Sequence, residues 1–198
     1  MGVDVTVLVT EWEPAVAAFR VGGMDFFWDA NAERNDRFEA GDRSGDLPEL
    51  PFLDEWDMPG GRSSFLYPCE SYDHLRRYLP DDLRGRLDTA FGAVLPGWDV
   101  DWIPADRDDL SSDAAIPAPD DDSGLYYAMR PATARAIAAI DIPWDELTRV
   151  SNLHPVPEDQ PYHEYLHADV LQWTAAMHLH AVADAAARGR GIIGLITH

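Results

Sequence analysis

Leu166, Val170, Trp173 and Met177 recur at spacings of four, three and four, the repeat that lines apolar side chains along one face of an α-helix, and Gly189 stands beyond them as a stop signal. The pattern predicts a single helix over about 161–187, the longest element of the chain, with that stripe turned to the interior. Such a helix needs partners to cover it. The ends of the chain offer strands: Val3, Val5, Val7 and Val9 alternate with Asp4, Thr6 and Leu8, which predicts a strand with one apolar face, and Ile192 to Thr197 reads as a closing strand. Strands at both ends with helices between them define an α+β class. The expectation is a single domain over 1–198, with the terminal strands adjacent in one small sheet packed against several helices.

Turn and cap residues place the remaining elements. Thr10 with Glu13 three places on offers a capping box for a short helix ending near Phe19, stopped by Gly22 and Gly23. Ser71 is placed as the cap of a turn holding Leu75 and Tyr78, and Pro80 opens a helix through Leu83, Leu87, Phe91 and Leu95. Leu125 to Met129 is predicted as a strand, Pro131 starts a helix through Ala134, Ile137 and Ile140, and Trp144 to Val150 makes a turn or two more. Two stretches, 24–61 and 98–124, are rich in Asp, Gly and Pro with scattered aromatics, and are expected to be long irregular acidic segments, with a short strand at Trp98 to Ile103.

Charge excludes several classes of partner and of chemistry. The chain carries 36 Asp and Glu against 15 basic residues, all arginine, for a formal net charge of −21. A field of that sign repels phosphate backbones and anionic lipid heads, so neither nucleic acid nor a membrane surface is an expected partner. The absence of lysine closes Schiff-base, P-loop and kinase chemistries. Cys69 is the only cysteine, which excludes an intrachain disulfide and paired-cysteine zinc sites. Met1 to Thr10 lacks the profile of a signal peptide and no apolar run is long enough for a membrane span, so the expected location is cytoplasmic.

Among the motifs, His163, Glu164 and His167 spell H-E-x-x-H. On a helix that spacing puts two imidazoles on one face, where they hold zinc, with a glutamate placed to take a proton from the bound water. Neither usual extension follows, because Val170 and Trp173 occupy the positions of the metzincin glycine and third histidine, and Glu164 is itself the last glutamate. Gly189, Gly191 and Gly194 form G-x-G-x-x-G, but after a helix and before a strand, the reverse of the phosphate-binding order. Asp120 to Asp122 ahead of Gly124 outline a calcium loop whose fifth and twelfth positions are wrong. Cys69 and His74 offer a thiolate pair in principle.

The strand at Met1 to Val9, the phrase Leu125-Tyr-Tyr-Ala-Met-Arg-Pro-Ala-Thr-Ala-Arg-Ala-Ile, His154-Pro155, Tyr165-Leu166, and Ala185-Ala-Ala-Arg-Gly-Arg-Gly ahead of a final strand occur in an order that resembles the YfbM-like bacterial domain family of unknown function. The likeness covers the first twenty residues and roughly 125–197. It implies an α+β fold in which the helix bearing Tyr165 and Leu166 is a core element, and it brings no activity, cofactor or catalytic residues.

Two functional readings follow. The first is a non-catalytic binding protein, without cofactor, whose acidic loops meet a basic protein partner, as an immunity-type inhibitor does, with Trp28, Trp56, Trp98 and Trp102 as anchoring side chains. The alternative is a zinc-dependent hydrolase, with His163 and His167 on the metal and Glu164 as general base. Trp98 and Trp102 would also suit a sugar-binding platform.

Overall fold

A computed structural model describes residues 4–23, 25–42, 53–55, 66–94 and 125–197. In chain order the elements are β1 (Asp4–Thr10), α1 (Trp12–Gly22), α2 (Asp25–Glu39), β2 (Leu53–Glu55), α3 (Leu66–Arg76), α4 (Asp81–Val94), β3 (Leu125–Met129), α5 (Pro131–Ala138), α6 (Trp144–Leu153), a 3-10 turn (His163–Tyr165), α7 (Ala168–Arg188) and β4 (Gly191–Thr197). The strands form one antiparallel sheet in the order β2-β1-β4-β3. The two terminal strands are neighbours along their whole length, from Asp4 opposite Thr197 to Thr10 opposite Gly191. The α+β class and the pairing of the chain ends are as the sequence pattern predicts.

Both faces of this sheet are buried where burial is described, at residues 7–10, 128–129 and 191–194, although the valine alternation predicts only one apolar face. Val7, Val9, Met129 and Ile192 point into the main core, with α3 to α7. Leu8, Ala128 and Ile193 point the other way, into a smaller core built from Ala15 and Phe19 of α1 and Phe27 and Ala30 of α2. Residues 7 to 10 are therefore buried without interruption, as expected of a strand sandwiched between two layers. Trp12 closes one corner. A methyl group on Gly191 would clash with its ring and lie 2.7 Å from the Met129 carbonyl oxygen, so only glycine fits between strand and indole.

Segment 25–39 is helical, not irregular. Phe27 packs against Phe19 at 6.0 Å between ring centroids and edge-on to Phe26 at 5.3 Å, so the tertiary cover that α2 gives the sheet outweighs its turn-rich composition. Other local signals shift in detail. Glu11 occupies the N-cap of α1 without a side-chain bond, and Thr10 lies buried at the end of β1, so the capping box does not form. Ser71 sits within α3, buried, and its hydroxyl finds no partner among the described residues. Pro131 does open α5, and Gly189 ends α7 in the left-handed region, φ 66°, with the amide of Arg190 returning to the carbonyl of Ala185 at 2.8 Å.

α7 is shorter than predicted and rotated. Its buried face runs through Ala168, Leu171, Thr174, Ala175, Met177, His178, Ala181, Val182 and Ala185, so of the predicted stripe Leu166 and Met177 are buried, Val170 is half-buried and Trp173 is exposed. The phase is set by close packing against α3, α5, α6 and the sheet, which favours alanine and leaves the bulky indole outside. The measurable consequence is a contrast between neighbours. Leu171→Ala should cost about 2–5 kcal/mol in urea unfolding, as a core cavity does, while Trp173→Ala should stay within about 0.5 kcal/mol of wild type.

Candidate functional site

The H-E-x-x-H residues do not lie on one helix. His163 and Glu164 belong to the 3-10 turn, preceded by Tyr162 in the left-handed region at φ 62°. Leu166 (φ −95°, ψ 65°) and His167 (φ −120°, ψ 156°) then leave helical geometry altogether. His167 is the N-cap of α7, and its carbonyl oxygen accepts from the amides of Val170 and Leu171 at 3.1 and 3.3 Å. The expected stacking of two imidazoles one turn apart is thus replaced by a bend that drives Leu166 into the interior and leaves Glu164, Tyr165 and His167 outside. Nδ1 of His163 stands 3.4 Å from the Glu164 carboxylate. Among the described residues no group of three or more His, Cys, Asp or Glu side chains is arranged to hold a metal ion.

The other sequence candidates are placed as follows. Trp28 lies on α2, half-buried against the smaller core, so it serves packing more than presentation. Trp56, Trp98 and Trp102 lie outside the described residues, as do the stretch 95–124, the Trp98 to Ile103 strand and the Asp120 to Asp122 turn. Gly189 closes α7, whereas Gly191 and Gly194 sit in β4. Their order from helix to strand is the one the sequence indicates.

Cys69 and His74 do not form a reactive pair. The thiol is buried on α3, and burial, with the neighbouring Glu70 charge, pushes it up to about 12. His74 turns instead to α6, its Nε2 2.8 Å from the carbonyl oxygen of His154, while Tyr78 stacks flat on the His154 ring at 4.0 Å. These contacts tie the end of α3 to the end of α6. A second tie joins α3 to α4: Arg76 donates to both Asp88 oxygens at 2.7 and 2.8 Å, and the Tyr72 hydroxyl donates to Asp88 Oδ1 at 2.8 Å. Burial and this bond push the Tyr72 phenol well up from its usual range, so it stays protonated as the donor. The polar groups between α3, α4 and α6 therefore act as fasteners.

What the described surface does present is unbalanced charge beside exposed aromatic rings. Arg37, Arg77, Arg84, Arg149 and Arg188 each pair with a carboxylate three or four residues away. The bidentate Arg149 holds the Glu146 carboxyl below its usual range. By contrast, residues 150–187 contain no arginine, and among the described residues none pairs with Glu158, Asp159 or Asp169. This stretch also exposes Tyr162, Tyr165 and Trp173. Helical spacing predicts Trp173 for the core, and the structure leaves it exposed. The missed signal was the absence of arginine across the same residues.

No family model, curated protein or solved structure matches this chain. No helix among the described residues is long and apolar enough to cross a membrane.

Two measurements test the buried groups. Native Cys69 should resist alkylation at neutral pH and react fully once the chain is unfolded; fast native labelling would contradict the buried thiol. His178 is buried on α7, and desolvation lowers it to about 3 from its ordinary 6.5. The unfolded chain therefore binds a proton that the folded one refuses between these values. Stability from this group is complete above about pH 6.5 and falls by up to about 1.4 kcal/mol per pH unit as pH drops toward 3. His178→Gln should show a correspondingly shallower acid dependence in denaturant titrations.

Proposed function

We propose that this protein is a non-catalytic binding protein whose acidic surface engages a basic protein partner, an immunity-type inhibitor being one such role. The observation that carries the reading is how the cations are spent. Five of the fifteen arginines are held by carboxylates of their own helix or its edge, and Arg76 and Arg190 are held by Asp88 and Glu11. Each thus neutralises one nearby acid, and 36 − 15 leaves a surplus of 21 negative charges over the whole chain. On α2 the exposed acids Asp25, Asp29, Glu33 and Asp36 follow helical spacing and form a ridge opposite Phe27 and Ala30.

Such a field accelerates encounter with a positive partner and repels nucleic acid and anionic lipid. The polar clusters described above serve packing, and His163 and His167 lack the shared helical face that a zinc hydrolase of this motif requires. Likeness in element order to the YfbM-like domains is part of the same proposal and adds no catalytic expectation.

Affinity capture with the full chain as bait, at low and high salt, tests the reading. Basic proteins should be retained at low ionic strength and released as salt shortens the range of the field. Recovery of no basic partner, or retention indifferent to salt, would count against it.

A further inference from the structure

We propose that the segment from Glu158 to Trp173, which leads through the 3-10 turn into α7, is the docking surface for an arginine-bearing segment of that partner. The inference rests on the binding-protein reading above and adds a location and a recognition chemistry. Three aromatic side chains stand about half exposed within this short stretch: Tyr162 (52%), Tyr165 (47%) and Trp173 (53%). Folding leaves this apolar area in water, although the rest of α7 buries its opposite face in the main core.

Geometry brings ring and charge together. Asp169 and Trp173 are four residues apart on α7 and both exposed, so the carboxylate lies one turn below the indole on the same face. Tyr162 precedes the 3-10 turn in the left-handed region and Tyr165 ends it, so the two exposed rings bracket the turn. Glu158 and Asp159 precede them on the exposed loop. Glu33, Asp73, Asp81, Glu146 and Asp184 each pair with an arginine three or four residues away, whereas Glu158, Asp159 and Asp169 have no arginine within four residues in the sequence.

A flat π face beside an unanswered carboxylate is complementary to a guanidinium, which stacks on the ring while its edge donates two parallel hydrogen bonds to the acid. Lysine offers only a point charge and matches less well. Charge complementarity thus selects a basic protein segment, and the rings select arginine within it.

The test titrates the full chain with fluorescein-labelled nona-arginine at low ionic strength, read by anisotropy, against two variants that lose equal charge. One carries Glu158→Gln, Asp159→Asn and Asp169→Asn. The other carries Asp25→Asn, Asp29→Asn and Asp36→Asn on α2, beyond the opposite face of the sheet. The local variant should weaken binding at least fivefold more than the remote one. Trp173→Ala should weaken it about fivefold, with Trp173→Phe restoring most of the loss, while circular dichroism and thermal unfolding stay as in wild type. Nona-lysine should bind more weakly than nona-arginine. Equal weakening by the two charge variants, together with wild-type binding by Trp173→Ala, would overturn this surface and leave the acidic-surface reading standing. No binding of the peptide by the wild-type chain would overturn both.

Discussion

The narrow, alanine-lined face of α7 is the constraint on which the other layers depend. Ala168, Ala175, Ala181 and Ala185 are all buried there, and α7 meets α3, α4, α5, α6, β1 and β4. Alanine is the strongest helix former and loses no side-chain entropy on burial, so a hub helix built from it is inexpensive to order. Its short side chains let neighbours come close and supply the bulk, as Tyr72 and Phe91 do, packed edge-on at 4.7 Å. The same tight setting explains why His178, on that face, is held neutral: the charged imidazolium has no water to reach.

Charge is arranged so that a large negative surplus coexists with stable helices. Acidic residues stand in the first turns of α1, α2, α4, α6 and α7, and Arg20, Arg37, Arg76, Arg135 and Arg188 stand in last turns. Both placements complement the helix dipole, and the intrahelical arginine pairs add modest local support. Self-repulsion is therefore offset locally while the distant field stays negative. The same use of arginine makes Asp169 conspicuous, since it stands in the first turn of α7 with no arginine within four residues, whereas Asp184 further along that helix pairs with Arg188.

The fold was legible wherever a residue's local preference and its tertiary role agreed. Alternating valines marked β1, Pro131 marked the start of α5, Gly189 the end of α7, and the pairing of the termini followed from strands at both ends. Legibility failed where packing overrode pattern. Trp173 completed an apolar stripe by spacing, yet the buried phase one residue away contains Thr174, His178 and alanines, which a reading weighted by hydrophobicity underrates. The H-E-x-x-H spacing suggested a helical pair of ligands, but Tyr162 in the left-handed region and extended His167 break the backbone on either side of the turn. α2 looked irregular because the bulk that stabilises it belongs to contacts with Phe19 and Leu8, far from it in sequence or on another element. Of the proposed surface, the sequence showed the charge and hid the rings.

The double-sided burial of the sheet also divides the labour among the acidic regions. The α2 ridge and the 158–173 segment lie on layers separated by the strands, and a standard interface covers only about 800 Å² on each partner. One partner of ordinary size cannot sit on both. Carboxylates on the far layer then act only through the long-range field, raising the rate of encounter and losing that effect as salt rises. Short-range complementarity has to come from a place where charge and apolar area coincide, because Coulombic attraction between exposed groups is too weak to hold a complex alone. Among the described residues the junction of the 3-10 turn and α7 combines exposed rings, unanswered carboxylates and rigid anchorage, since the helix carrying Trp173 is fixed along its other face by the main core.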